Sequence, residues 1–148
     1  MNNKELLAVS ACLLGMNCKY NGGNNRLPDK TILQLEESYC MIPICPEQLG
    51  GLPTPRKPAE RQGETVVMKD GTDVTKQFHD GALAAQCILR ERGVRIALLK
   101  SRSPSCGKDK IYDGSFTGTL KSGDGVTAEL LRSEGIKVFT EQEINQLL

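Results

Sequence analysis

The chain has 148 residues, 39% of them hydrophobic, and a formal net charge of +1. That length suits one domain with a core of its own, and the near-neutral charge gives no bulk attraction for long nucleic acid or an acidic membrane. No apolar run approaches the ~20 residues of a transmembrane helix. Six cysteines with no secretory segment ahead of them fit a reduced, cytoplasmic protein better than a disulfide framework.

Leu6–Ala11 reads as a buried strand that ends at Cys12. "VSAC" resembles the box before a lipid-modified cysteine. The apolar "LLAV" is too short for a signal segment, however, and Glu5 precedes it. Lys30–Ser38 is a short predicted helix, and Met41–Ile44 is a second strand that ends at Cys45. Residues 50–63, "GGLPTPRKPAERQG", are rich in Pro and Gly and predict a long ordered loop or lid. "ETVVMKDG" follows as a strand closed by an Asp-Gly turn. Over Asp73–Arg92, the spacing of Val74, Phe78, Ala82, Ala85, Ile88 and Leu89 predicts a helix stopped by Gly93. Arg95–Leu99 is a third strand, followed by a loop that carries Cys106. "YDGSFTGTLKSGDG" is turn-rich. Thr127–Ser133 is helical and Ile136–Phe139 is a fourth strand. Thr140 and Glu143 form a capping box that opens a final helix to Leu148.

Strands that are continuously apolar, alternating with helices, predict a single α/β domain over 1–148. Its architecture is a three-layer, mainly parallel sheet with helices on both faces, Rossmann-like, with right-handed crossovers. In such a sheet, the loops at the carboxyl ends of the strands form the binding crevice. Cys12, Cys45 and Cys106 all fall there, so three cysteines distant in sequence are expected to converge.

Three convergent thiols lack the paired Cys-x-x-Cys knuckles of structural zinc. They match a [4Fe–4S] cluster with one iron left open for substrate. Buried cysteines that pack as small hydrophobes are the alternative. Cys18 stands as a spare ligand or redox-active thiol, Cys40 as a core residue and Cys87 as a structural one. Glu47, two residues after Cys45 and behind Pro46, is a proton relay or a turn cap. Arg56 either orients a carbonyl or anion or lies on the surface. Ser101, Ser103 and Ser105 offer hydroxyls beside Cys106. His79, inside the long helix, makes a Cys/His hydrolase unattractive, and no phosphate-binding glycine fingerprint is present.

"SACLLG", "CKYNGG", "CPEQLGGLPTPR", "DGTDVTKQFHDGA", "LLKSRSPSCG" and "IYDGSFTG" occur in that order across nearly the whole chain. Together they resemble the thiouracil desulfidase family. The resemblance implies a [4Fe–4S] cluster held by Cys12, Cys45 and Cys106. It also implies hydrolytic removal of sulfur from a small thiolated nucleobase, with Glu47 as the assisting acid and a serine role for Ser101, Ser103 or Ser105. From the residues alone, a non-enzymatic iron–sulfur carrier or sensor and a metal-free small-ligand module stay open.

Overall fold

The computed structural model describes residues 4–148. In chain order it holds β1 (Glu5–Ser10), a 3₁₀ turn (Ala11–Leu14), α1 (Asp29–Ser38), β2 (Tyr39–Ile44) and α2 (Pro46–Leu49). Then follow β3 (Ala59–Gln62), β4 (Thr65–Met68), α3 (Thr75–Arg92), β5 (Ile96–Leu99), β6 (Lys110–Tyr112) and β7 (Leu120–Ser122). The chain closes with α4 (Val126–Ser133), β8 (Lys137–Thr140) and a 3₁₀ segment (Glu141–Gln146). Among the described residues no helix is long and apolar enough to cross a membrane.

The result is a mixed α/β domain around a four-stranded parallel sheet in the order β2-β1-β5-β8. The central strand β1 is buried on both faces, which explains its unbroken apolar run. Ala8 packs on one side with Ala85 and Leu89 of α3 and Ala128 and Leu131 of α4. Leu7 and Val9 pack on the other side with Leu35 of α1 and with Leu147. The helical spacing in α3 places Phe78, Ala82, Ala85 and Leu89 inward as expected, and Gly93 ends the helix with φ 68°.

Three expectations need correction. The Pro/Gly-rich stretch 50–63 is not all loop, because Ala59–Gln62 pairs antiparallel with β4. That strand was hidden because two of its four residues, Glu60 and Arg61, are charged yet buried. The final helix is a 3₁₀ segment. Its capping box forms as expected, but Glu143 departs from helical geometry (φ −110°, ψ 17°) while holding Lys108. Cys40 is exposed rather than core, because β2 is an edge strand with alternating burial. Pro43 is tolerated in β2 for the same reason.

Two contacts fix the parts that later form the site. Helix α2 lies against α3 backbone to backbone. A Cβ on Gly50 would sit 1.9 Å from the Gln77 carbonyl oxygen, and one on Gly81 would sit 1.9 Å from that of Pro46. Only glycine at both places lets α2, which carries Glu47, reach this depth. The β3–β4 hairpin is tied down by buried Arg61, which donates to the Gly63 and Asp124 carbonyls and to Glu129, each at 2.8 Å. Gln62 Nε2 donates to the Gly114 carbonyl at 2.8 Å, joining this hairpin to the β6–β7 hairpin.

Candidate functional site

A cavity of about 550 Å³ opens at the carboxyl ends of the sheet strands. From β1 the chain crosses to β2 on one side, while β5 pairs with β1 on the other, so the cavity lies where strand order reverses. Cys12 sits in the turn directly after β1, and Cys45 follows β2 as the cap of α2. Cys106 lies in the loop after β5. All three line the cavity, together with Cys18.

The thiols sense one another. Burial pushes Cys106 up to about 12; the charges of Cys12, Glu47 and Cys45 add to this, while the Ser10 hydroxyl pulls against it. Burial also raises Cys12, opposed by Asn25, whose side-chain amide donates to the Cys12 sulfur at 3.5 Å. Cys18 is likewise pushed up to about 12, by burial and then by Cys45. Ionising several of these thiols in one cavity is costly, and a bound cationic group would offset that cost. Among the described residues no three His, Cys, Asp or Glu side chains converge on a single metal ion. Three soft thiols lining one cavity are the donor type that iron–sulfur clusters use.

Glu47 lines the same cavity. Its side chain is 19% exposed and is held by Arg56, itself only 4% exposed, with Nε to Oε1 at 3.1 Å. Arg56 is therefore no surface residue. It also donates to the Cys18 carbonyl at 3.0 Å, the Pro53 carbonyl at 3.2 Å and the Thr54 hydroxyl at 3.0 Å. Burial raises the Glu47 carboxyl, and the Arg56 charge and hydrogen bond only partly offset it.

The three serines separate by environment. Ser101 lines the cavity, accepts from Lys100 Nζ at 3.1 Å and donates to Glu141 at 2.8 Å. Ser103 also lines it, but its oxygen accepts from the Ser105 and Cys106 backbone N–H groups at 3.1 and 3.0 Å, which shapes the Cys106 loop. Ser105 is fully buried against the Thr127 hydroxyl at 2.8 Å and is not among the cavity-lining residues. Cys87 lies exposed on α3, its thiol donating to Glu91 at 3.7 Å, and His79 is exposed on the same helix.

Glu141 and Glu60 escaped the sequence reading. Glu141 accepts from Lys100 Nζ at 2.7 Å and from the Ser101 backbone N–H and hydroxyl, each at 2.8 Å. Burial works to raise its carboxyl, yet the Lys100 and Ser101 bonds win and hold it below the usual range. A depressed carboxylate contributes stability above its unfolded value and loses it as pH falls through the folded one. Glu141→Gln should therefore cost about 1.5–3 kcal/mol at pH 7, the range for hydrogen bonds to a charged group. The gap from wild type should close in strong acid, as read by urea unfolding at both pH values. Glu60 is buried on β3 and also lines the cavity. The capping box did point to the segment holding Glu141; no pattern pointed to Glu60.

Backbone strain concentrates here as well. Arg102 (φ 67°) and Phe116 (φ 59°) are non-glycine residues in the left-handed region, and both line the cavity. Such conformations persist where the surroundings enforce them, commonly at functional sites.

Residues 7–143 match the family model described as 2-thiouracil desulfurase. An uncharacterized protein of Bacillus subtilis (strain 168), YbbK, is 38% identical over 153 residues, covering 97% of this chain and all of that one. A solved structure described as the [4Fe-4S]-dependent thiouracil desulfidase TudS superimposes with a TM-score of 0.92 at 46% identity, over 97% of this chain and 95% of that chain. The fold, the strand-end placement of the cysteines and these matches agree: the chain belongs to the 2-thiouracil desulfurase family.

Proposed function

We propose that this protein is a [4Fe–4S]-dependent desulfidase that converts a thiouracil-like base and water to uracil and sulfide. The observation that carries the reading is one cavity lined by three strand-end thiols and a desolvated carboxylate. The description of the solved relative names the same cofactor and the same class of reaction. Cys12, Cys45 and Cys106 would hold the cluster; their soft thiol donors and their shared place on the cavity wall support that assignment. When bound, the cluster supplies a soft Lewis acid and a place for sulfur.

Glu47 takes a proton from the water that attacks the C–S carbon and passes it on as that bond breaks. Its raised carboxyl, poised against Arg56, suits this two-way role. Ser101 is the serine we assign to the substrate side, since Lys100 and Glu141 fix its hydroxyl at the cavity wall. Ser103 and Ser105 act through the Cys106 loop, which their hydrogen bonds hold. The atoms balance as C=S plus H₂O to C=O plus H₂S, with no change of oxidation state and no electron donor. A simple iron–sulfur carrier needs neither a cavity of about 550 Å³ nor a desolvated acid.

The same reading takes the fold as a three-layer, Rossmann-like arrangement, supported by the two core clusters on opposite faces of the sheet. It also takes the protein as cytoplasmic, acting on a small base rather than on long nucleic acid or a membrane, in keeping with its charge of +1. The test is anaerobic purification and reconstitution, followed by iron, acid-labile sulfide and turnover of 2-thiouracil. About four of each per chain, with uracil and sulfide released in equal amounts, is the expected result. A cluster without turnover favours the carrier, and no bound iron overturns the reading.

A further inference from the structure

We propose that Glu60 recognises a ring N–H of the base, through a carboxylate oxygen that the protein leaves open toward the cavity. The inference rests on reading the cavity as a pyrimidine site. Glu60 is 8% exposed and lines the cavity from β3. Its Oε1 accepts from the Gly114 backbone N–H at 2.9 Å and the Phe116 backbone N–H at 3.1 Å. Among the described residues nothing donates to Oε2, and no Lys or Arg forms an ion pair with Glu60. Every sealed side-chain nitrogen or oxygen among the described residues does have a partner. Oε2 is therefore not sealed in the protein, and the cavity that Glu60 lines is taken as the space it opens to.

A carboxylate this buried is costly without compensation, and two backbone donors satisfy only one of its oxygens. In the free protein water can meet Oε2, and a ligand that displaces that water must bring a donor in its place. A thiouracil or uracil ring carries N–H groups in its plane, next to the carbonyl or thiocarbonyl carbon. Glu47 is engaged differently, through Arg56, so the two acids of the cavity divide into one for proton transfer and one for recognition.

Phe116 strengthens the assignment. Its φ of 59° is strained for a side-chain-bearing residue, and the bond from its N–H to Glu60 helps to hold it there. The same carboxylate thus braces an aromatic residue that lines the cavity beside it. A carboxylate acceptor beside an aromatic residue is a combination that suits a flat heterocycle.

The test uses the anaerobically prepared full chain and calorimetric titration with uracil, 1-methyluracil and 3-methyluracil. In Glu60→Gln the amide oxygen can still accept from Gly114 and Phe116, so melting temperature and iron content should match wild type. The amide NH₂ then meets the ring N–H donor to donor, and uracil should bind about tenfold more weakly or worse. One N-methyl isomer should bind wild type as poorly as uracil binds the variant, and that isomer should lose nothing further in Glu60→Gln. Unchanged uracil affinity in a folded Glu60→Gln protein overturns the inference. So does wild type that fails to bind uracil, or that binds both N-methyl isomers as tightly as uracil, and this second measurement needs no variant. Turnover of 2-thiouracil by wild type is read separately. Uracil bound through Glu60 with no turnover sinks the desulfidase reading alone, and turnover with an indifferent Glu60→Gln sinks this inference alone.

Discussion

Replacing Cys12, Cys45 or Cys106 by Ser is expected to abolish iron retention after anaerobic reconstitution, while Cys87→Ser keeps it at the wild-type level. A hydroxyl is a hard, weakly acidic donor and substitutes poorly for a soft thiolate on iron. The change is almost isosteric, so each variant should fold, and the loss is one of ligation. Cys106 tests this most sharply, being 6% exposed with the Ser10 hydroxyl beside it, so a serine there has a ready hydrogen-bond partner. Cys87 is exposed on α3, far along the chain from any strand-end loop, and its Glu91 contact at 3.7 Å is weak. Iron and acid-labile sulfide per chain, with far-ultraviolet circular dichroism to confirm folding, give the readout. Equal iron loss from Cys87→Ser, or full retention in Cys45→Ser, would contradict the ligand assignment.

The strand-end cysteines were legible because a buried parallel strand announces itself as an unbroken apolar run, and its carboxyl end is where ligands bind. Leu7, Ala8 and Val9 are fully buried, so the position of Cys12 followed from hydrophobicity alone. The helix α3 was legible for the complementary reason, a one-sided apolar stripe with a glycine stop. The hairpin β3–β4 was not. Its inward residues include Glu60 and Arg61, and a buried charge paired across 54 or 68 residues of sequence leaves no local pattern. Glu141 escaped for the same reason, since its partners Lys100 and Ser101 lie on another strand end. The backbone contact of Gly50 with Gly81 is equally non-local, so the sequence displays two glycines without showing that they meet. Thiols at strand ends could be read from the chain, whereas the acids that serve them depended on the tertiary fold.

Glu47→Gln is expected to lower kcat by about 10²–10⁴-fold with the cluster intact, the usual worth of general acid–base assistance. The amide keeps the shape of the side chain and can accept from Arg56, so the clamp on the Pro53 and Cys18 carbonyls should survive. What is lost is the exchangeable proton. Position supports this role: Glu47 stands on α2, two residues past Cys45, at a depth set by the glycine contact with α3. The pH profile supplies a second signature. Burial raises the Glu47 carboxyl against the opposing pull of Arg56, and the form that accepts a proton from water is the ionised one. As pH falls through that raised value the base is lost, so the acid limb of kcat/KM should lie above the ordinary carboxylate range. In Glu47→Gln that limb should vanish, leaving a low, flat rate. Initial rates of uracil formation from pH 4 to 9, normalised to iron content, measure both effects. A Glu47→Gln protein with wild-type kcat and an unchanged acid limb would remove Glu47 from proton transfer and move attention to the hydroxyl of Ser101, held between Lys100 and Glu141.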